Sequence, residues 1–294
     1  MTDPAAQALD AFAAAMPALL ALAYRMLGSR ADAEDAVQDT YMKWQQADRA
    51  AIAAPAAWLT TACTRRCIDM MRAAHRARVD YVGPWLPEPL HTAAEGPDER
   101  LSSSLGVAFL LVLERLTPRE RAAYLLHEIF DMSYAEVART LAMQEPACRK
   151  LVSRARAHVE DSAVRHRTPV EQQDRLLAAF EVAVNEGQTG PLAALLADDA
   201  AIATDGGGKV AALPGVLRGR ARVLRFVLRV LHRFWRGLSW SVEEINGARG
   251  VVVREQGRAV AAVSFAYDAS GHATNVFIVR NPEKLARLDA PVRA

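Results

Sequence analysis

Cysteine is scarce: Cys63, Cys67 and Cys148 are the only three in 294 residues. All three sit in helical patterns and form no even extracellular framework, so a reducing compartment is expected. Cys63 and Cys67 stand at i and i+4, but no nearby Cys or His completes a four-ligand set, so the pair reads as core rather than a metal centre, and no cofactor is expected. Net charge is nearly absent as well, at +2. What charge there is segregates along the chain. Segment 65–78 carries Arg65, Arg66, Arg72, Arg76 and Arg78 against Asp69, whereas 32–39 is acidic. The apolar run at 11–22 follows Asp3 and Asp10, lacks a basic leader and contains Pro17. It reads as neither a signal peptide nor a membrane span, and a cytoplasmic protein with no membrane partner is expected.

The most informative stretch is 117–160. Thr117, Pro118 and Glu120 form a helix start with a capping box, and Ser133 with Glu136 repeats it. Between them Ala122, Leu125, Leu126, Ile129 and Phe130 recur at helical spacing, predicting a helix that ends near Asp131. A short second helix carries Tyr134, Val137, Ala138 and Leu141 on one face. A third begins near Glu145 and buries Cys148, Leu151, Val152, Ala155 and Val159, leaving Arg149, Lys150, Ser153, Arg154 and Arg156 outside. Two short helices followed by a basic one is the helix-turn-helix pattern, whose last helix enters the major groove. Arginine reads guanine there, while lysine and serine fix register on phosphates. The competing reading is a three-helix bundle with a solvated basic face.

Upstream, residues 5–27 predict one or two helices broken near Pro17 and closed by Gly28. Ser29 with Asp32 opens the next helix, with Ala33, Ala36, Val37, Thr40, Tyr41 and Trp44 inward. Asp35, Gln38, Asp39, Met42 and Gln45 face away, as solvated surface or as a contact for a basic partner helix. After the alanine-rich loop 46–54, a helix from Pro55 buries Trp58, Leu59, Ala62, Cys63, Cys67, Met70 and Met71. Its other face lines up Arg65, Asp69, Arg72 and Arg76, which suits a phosphate backbone. Residues 81–90, YVGPWLPEPL, can be neither helix nor inner strand. Trp85 and Leu86 are costly to expose, so a stiff extended segment docking one aromatic anchor is expected.

From about residue 170 the character changes. Helices are expected at 171–186, around Leu192, Leu195 and Leu196, and at 220–236. Strands follow at 239–245, 250–255, 259–267 and 273–279, separated by Asn246-Gly247, Gln256-Gly257 and Ser270-Gly271. This is an α+β pattern, with an antiparallel sheet curved on helices around an apolar pocket. Arg222, Arg225, Arg229, Arg233 and Arg236 share one face of the long helix, opposite Val223, Phe226, Val227, Val230, Leu231 and Phe234. That stripe reads as a solvated face or as a contact for an acidic surface or nucleic acid. Asp198, Asp199, Asp205, His232 and His272 are available for acid–base chemistry, but their spacing does not bring two of them together. Asp205, followed by Gly206, Gly207, Gly208 and Lys209, reads as a tight turn with Lys209 in a structural contact.

The stretches AYRMLGSRADAEDAVQDTYMKWQ and PAAWLTTACTRRCIDMMRAAHR, followed by the helix-turn-helix, resemble regions two and four of the extracytoplasmic-function sigma factors of bacterial RNA polymerase. The C-terminal part resembles the SnoaL-like, ketosteroid-isomerase-like cone fold. Three further signatures resemble one subgroup of these sigma factors: Trp85, Leu86, Pro87, Glu88 and Pro89 in the linker; Asp205 to Lys209; and Asn281, Pro282, Glu283, Lys284 and Leu285 near the end, with Glu283 where the subgroup has aspartate. The resemblance implies a multidomain protein: region two at 5–78, a linker at 79–105, region four at 106–163 and a cone domain at 170–289. It also implies that Asp35, Gln38, Asp39 and Trp44 meet the clamp helices of the polymerase's largest subunit, with a further contact at the flap region. Arg65, Arg66, Arg72 and Arg76 would handle minus-ten DNA, and Arg149, Lys150, Ser153, Arg154 and Arg156 minus-thirty-five DNA. The linker and C-terminal signatures would serve interdomain regulation, with no separate anti-sigma required, no catalytic residues, and room for a small-molecule ligand in the cone. The alternatives are a cyclase or isomerase fused to a DNA-binding module, and a one-component transcription factor.

Overall fold

The structure, a computed structural model, describes residues 4–78, 81–92, 104–160 and 168–289, without the side chains of 4–8 and 74–78. The chain forms two compact units, Met1–Val79 with Val112–Ser162, and Asp80–Leu111 with Ala163–Ala294. Both helical segments share the first unit, and the proline-rich linker belongs to the second.

The first unit begins with α1 (Pro4–Leu27), α2 (Arg30–Gln46) and α3 (Pro55–Arg78). α1 does not break at Pro17 but runs through it. An internal proline removes one helical hydrogen bond, yet Leu19, Leu22, Ala23, Tyr24, Met26 and Leu27 beyond it are all buried, and their packing holds a single helix. The 19-residue stretch Leu9–Leu27 is apolar and long enough to cross a bilayer by composition, at a mean hydropathy of 1.3. Its buried side chains instead form the centre of this bundle. Ser29 caps α2 by accepting the Asp32 N–H, and α2 buries Ala33, Ala36, Val37, Thr40 and Trp44. Cys63 and Cys67 lie buried as free thiols on α3.

After α4 (Val107–Leu113) come α5 (Pro118–Tyr124), α6 (Tyr134–Thr140) and α7 (Glu145–Glu160). Both capping boxes form, with Thr117 and Glu120 at α5 and Ser133 and Glu136 at α6. α5 widens into one π turn, Leu125–Ile129. Asp131 and Ala142 then take left-handed φ of +52° and +50°, which ends each helix sharply enough to set α6 and α7 on new axes.

The second unit is built on a six-stranded sheet. Its elements are α8 (Val170–Asn185), α9 (Gly190–Leu195), β1 (Leu196–Asp205), β2 (Leu217–Arg218), α10 (Arg220–Phe226), α11 (His232–Trp235), β3 (Ser239–Ile245), β4 (Ala248–Glu255), β5 (Arg258–Tyr267), β6 (Ala273–Val279) and α12 (Pro282–Leu285). The strand order is β2-β1-β6-β5-β4-β3. The sheet is mixed rather than antiparallel, because β1 pairs parallel with β6. β1 escapes a strand reading because LADDAAIATD is rich in alanine and aspartate, which strands disfavour, and a register shift between Leu196 and Ala201 breaks its alternation. The hairpin turns fall at the expected places, with Asn246-Gly247 and Gln256-Gly257 both at positive φ.

Each face of the sheet carries its own core. On one, Phe180 and Val184 of α8 and Val223 of α10 meet Ile202, Val253 and Ile278. On the other, Ala203, Val252, Phe277 and Val279 meet Leu86 of the linker segment and Val107 of α4, with Leu285 and Leu288 from the chain's end. The long helix also departs from an ideal period. A π turn at Val227–Leu231 joins α10 to α11, so Val223, Val227, Leu231 and Trp235 face the core at intervals of four. Phe234, expected inside, is rotated out and is 67% exposed.

Candidate nucleic-acid interface and linker clasp

α7 presents its basic side chains as the sequence predicts, with one exception. Arg149, Lys150, Ser153 and Arg154 are exposed, while Cys148, Leu151, Val152, Ala155 and Val159 are buried. Arg149 lies over the Tyr134 ring at 4.5 Å and pairs with Glu145 at 2.7 Å. Its guanidinium is thus held at the N-terminal end of the helix, the end that meets base edges when such a helix docks. Arg154 sits 3.4 Å from Glu120 and stays largely open. Arg156 is different: its Nε and Nη2 both donate to Glu128 Oε1, which ties α7 to the π turn and raises the arginine's pKa through that hydrogen bond and charge. The pairing braces α7, while 43% of the arginine side chain stays exposed. Glu120 is pulled two ways. Burial would raise its pKa, but the Thr117 hydroxyl and N–H hold it below the usual carboxylate range.

On the first bundle, Asp35 and Gln38 are exposed on α2. Asp39 accepts from Arg66 Nε at 2.6 Å, so a residue expected to meet protein and one expected to meet DNA pair with each other. Trp44 is no surface contact: it is 2% exposed and lies 5.4 Å from Trp58. Any part it has in recognition is through the shape of α2. Arg65 Nε donates to the Thr140 carbonyl at 3.3 Å, so this arginine bonds to the end of α6. Arg72 is exposed, 3.5 Å from Asp69. The Arg76 side chain lies outside the described residues.

The three short signatures of the sequence meet at one place, around Asp205. This carboxylate is fully buried and accepts four hydrogen bonds. Tyr81 Oη at 2.6 Å and Gly207 N at 3.0 Å donate to Oδ1, while Leu86 N at 2.9 Å and Lys284 Nζ at 2.7 Å donate to Oδ2. Lys284 Nζ also donates to the Leu86 carbonyl at 2.6 Å and lies over the Trp85 ring at 4.4 Å. A buried anion is tolerable only with such partners. Burial and the adjacent carboxylate hold the Tyr81 phenol well above its ordinary pKa, so it acts as a donor.

The glycines have steric reasons. A Cβ on Gly206 would lie 2.3 Å from the Val210 carbonyl oxygen, and one on Gly207, whose φ is +59°, would lie 2.3 Å from Asn281 Nδ2. Asn281 caps α12 by accepting from Glu283 N at 3.1 Å and donates to Tyr81 Oη at 3.2 Å. Lys209 pairs with Glu283, a structural contact.

The linker's anchor is not the expected aromatic. Leu86 is 1% exposed and enters the second core, whereas Trp85 is half-buried over Lys284. An indole's larger area favours burial, but here its face is used as a cation seat. Pro87, Glu88 and Pro89 are buried, with Glu88 3.9 Å from Arg287. The segment then runs onto the edge of β3: Leu90 N donates to Asn246 Oδ1, Asn246 N to Leu90 O, and Thr92 N to Glu244 O. Tyr81 and Asn246 were missed as site residues. Tyr81 stood within the proline-rich stretch, but Asn246 carried only a turn signal.

A cavity of about 460 Å³ opens on the helix-covered face of this unit, lined by apolar side chains with Glu255 and Arg280. The candidate acid–base groups lie elsewhere. Asp198 pairs with Arg220, His232 bonds the Val184 carbonyl, and His272 joins Ser270 in a loop with Asp268. Asp199 is exposed and Asp205 is committed to the linker. Arg222, Arg225, Arg229, Arg233 and Arg236 are all exposed.

Residues 11–77 match the family described as Sigma-70 region 2, and residues 107–159 match Sigma-70, region 4. The chain is 36% identical over 225 residues to the ECF RNA polymerase sigma factor SigJ of Mycobacterium tuberculosis, covering 75% of this chain and 72% of that protein. It is 31% identical over 182 residues to the probable ECF RNA polymerase sigma factor SigI of the same species, covering 60% and 63% respectively. The crystal structure of the M. tuberculosis extracytoplasmic function sigma factor SigJ superposes with a TM-score of 0.74 at 32% identity, over 97% of this chain and 100% of that one.

Proposed function

This chain belongs to the extracytoplasmic-function sigma factors of RNA polymerase, which direct transcription initiation, and we propose that its C-terminal unit controls that activity by holding the linker. Sigma factors are initiation subunits without catalysis of their own, working in the cytoplasm beside the polymerase. The observation that carries the regulatory reading is the Asp205 clasp: a buried charge whose partners are Tyr81 and Leu86 on the linker and Lys284 near the chain's end. Burying a charge against a segment that needs only to connect two domains is a costly way to make a tether. It is an economical way to make a latch.

In this reading Asp35, Gln38 and Asp39 meet core polymerase, Arg65, Arg66 and Arg72 meet minus-ten DNA, and Arg149, Lys150, Ser153 and Arg154 read minus-thirty-five DNA. Arg65 must release the Thr140 carbonyl to do so. Control is exerted in cis, which leaves a separate anti-sigma protein neither required nor barred. The test compares binding of the full chain and of Asp205→Ala to purified core polymerase. Allosteric coupling of ordinary size shifts affinity about fivefold or more. Equal affinities, with equal transcription from a cognate promoter, would sink the regulatory reading and leave the sigma assignment intact.

The α7 assignment makes a second prediction. Arg154→Ala should cost about 1–3 kcal/mol of promoter-duplex affinity by fluorescence anisotropy. Arg156→Ala should instead lower thermal stability, with a smaller effect on DNA. The reverse order would show that Arg156 is the reader and Arg154 the brace. The cyclase or isomerase alternative draws no support from the site, since its candidate acids and histidines lie in separate places.

A further inference from the structure

One cation lining the cavity of the second unit, Arg280, has no carboxylate partner among the described residues. Alternation along β6 sends Ile278 and Arg280 to the cavity side of the sheet and Val279 and Asn281 to the clasp side. Around Arg280 the walls are Phe226, Trp235, Leu238, Val260 and Ile278. Arg280 Nη1 donates to the Ala211 carbonyl at 2.6 Å. Its Nε is closed off from solvent with no acceptor, and no carboxylate lies within ion-pair distance of the guanidinium among the described residues. Burial disfavours the charge and draws its pKa down. Glu255, the other charged residue of the lining, stands at the exposed edge. An apolar hollow with one unmatched, half-buried cation is complementary to an amphipathic monoanion. A phosphate would bring a second charge for which there is no second cation, and Glu255 would oppose it.

We propose that this cavity binds a small monocarboxylic acid with an apolar body, its carboxylate on the Nε–Nη2 edge of Arg280 and its body among the aromatic and aliphatic walls. The fork of a guanidinium matches a carboxylate bidentately, and Nε has no acceptor to give up. The site adjoins the clasp. The backbone N–H groups of Arg280 and Asn281 both donate to the Asp205 carbonyl, at 2.7 and 2.9 Å, and Thr204, beside Asp205, lines the cavity. A ligand drawing on Arg280 therefore pulls on the strand ends that hold the linker. That consequence rests on the regulatory reading above; binding does not.

The test is isothermal titration of the full-length chain with sodium decanoate, alongside 1-decanol and decylamine. Saturable decanoate binding is expected, weakened at least about tenfold by Arg280→Gln, with decanol indifferent to that substitution and decylamine not bound. Val260→Phe, which fills the cavity and leaves Arg280 in place, should abolish decanoate binding, so the proposal stays testable if Arg280→Gln misfolds. No binding of decanoate, or equal binding by wild type and a folded Arg280→Gln, overturns it. Decanoate binding that leaves hydrogen exchange at residues 81–90 unchanged would keep the site and count against the clasp as its readout.

Discussion

Asp205→Ala is expected to lose about 3–5 kcal/mol of the second unit's stability, the range for breaking a buried pair by removing one partner. The substitution takes from Lys284 Nζ, whose side chain is 12% exposed, its carboxylate partner, leaving it the Leu86 carbonyl and the Trp85 ring, and it leaves Tyr81 Oη and the Leu86 N–H without their acceptor. Asp205→Asn keeps the volume but turns an NH₂ toward groups that need an acceptor, so it should rescue little. Urea unfolding followed by hydrogen exchange at residues 81–90 checks this, because the linker amides should lose protection before the sheet does. A loss below about 1 kcal/mol would mean the carboxylate is replaceable by water, and the latch would lose its pin.

Leu86→Ala should cost about 3 kcal/mol, in the range for a fully buried leucine whose cavity cannot collapse. The side chain is 1% exposed and packs with Val107, Ile245, Phe277 and Leu285, all on rigid elements. Trp85→Ala, next door, removes a cation–π seat at a half-exposed position and should cost only about 1 kcal/mol. Parallel thermal melts decide between them. If the tryptophan variant suffers more, the aromatic is the anchor after all and the leucine is a spectator.

The contrast between those residues shows what sequence reasoning could reach. Proline spacing announced that 81–90 docks somewhere, but which of two adjacent apolar side chains goes in depends on a lysine at 284, far along the chain. The helix-turn-helix was legible because its signals are local: two capping boxes, a 3.6-residue stripe and a basic outer face within 44 residues. The β3–β6 hairpins were legible for the same reason, through Asn-Gly and its analogues. β1 was not, since its pairing with β6 is long-range and its alanines carry no strand preference. Nor was Glu128, which pairs with Arg156 across 28 residues. Phe234 was misplaced because a π turn cannot be seen in a period that assumes none.

The order in which the chain leaves the ribosome adds a consequence. Lys284 and Leu86 bond across 198 residues, and Asn281 and Tyr81 across 200. At 5–20 residues per second, about 10–40 s pass between synthesis of the linker and synthesis of the lysine that fastens it. The helices of the two sigma regions end by residue 160 and are complete well before then. Each new molecule therefore passes through an interval in which its transcriptional half exists and its fastener does not. Arrest of translation within the last strand, or loss of the final residues to a frameshift, would prolong that interval indefinitely, leaving the sigma regions joined to a linker that nothing holds.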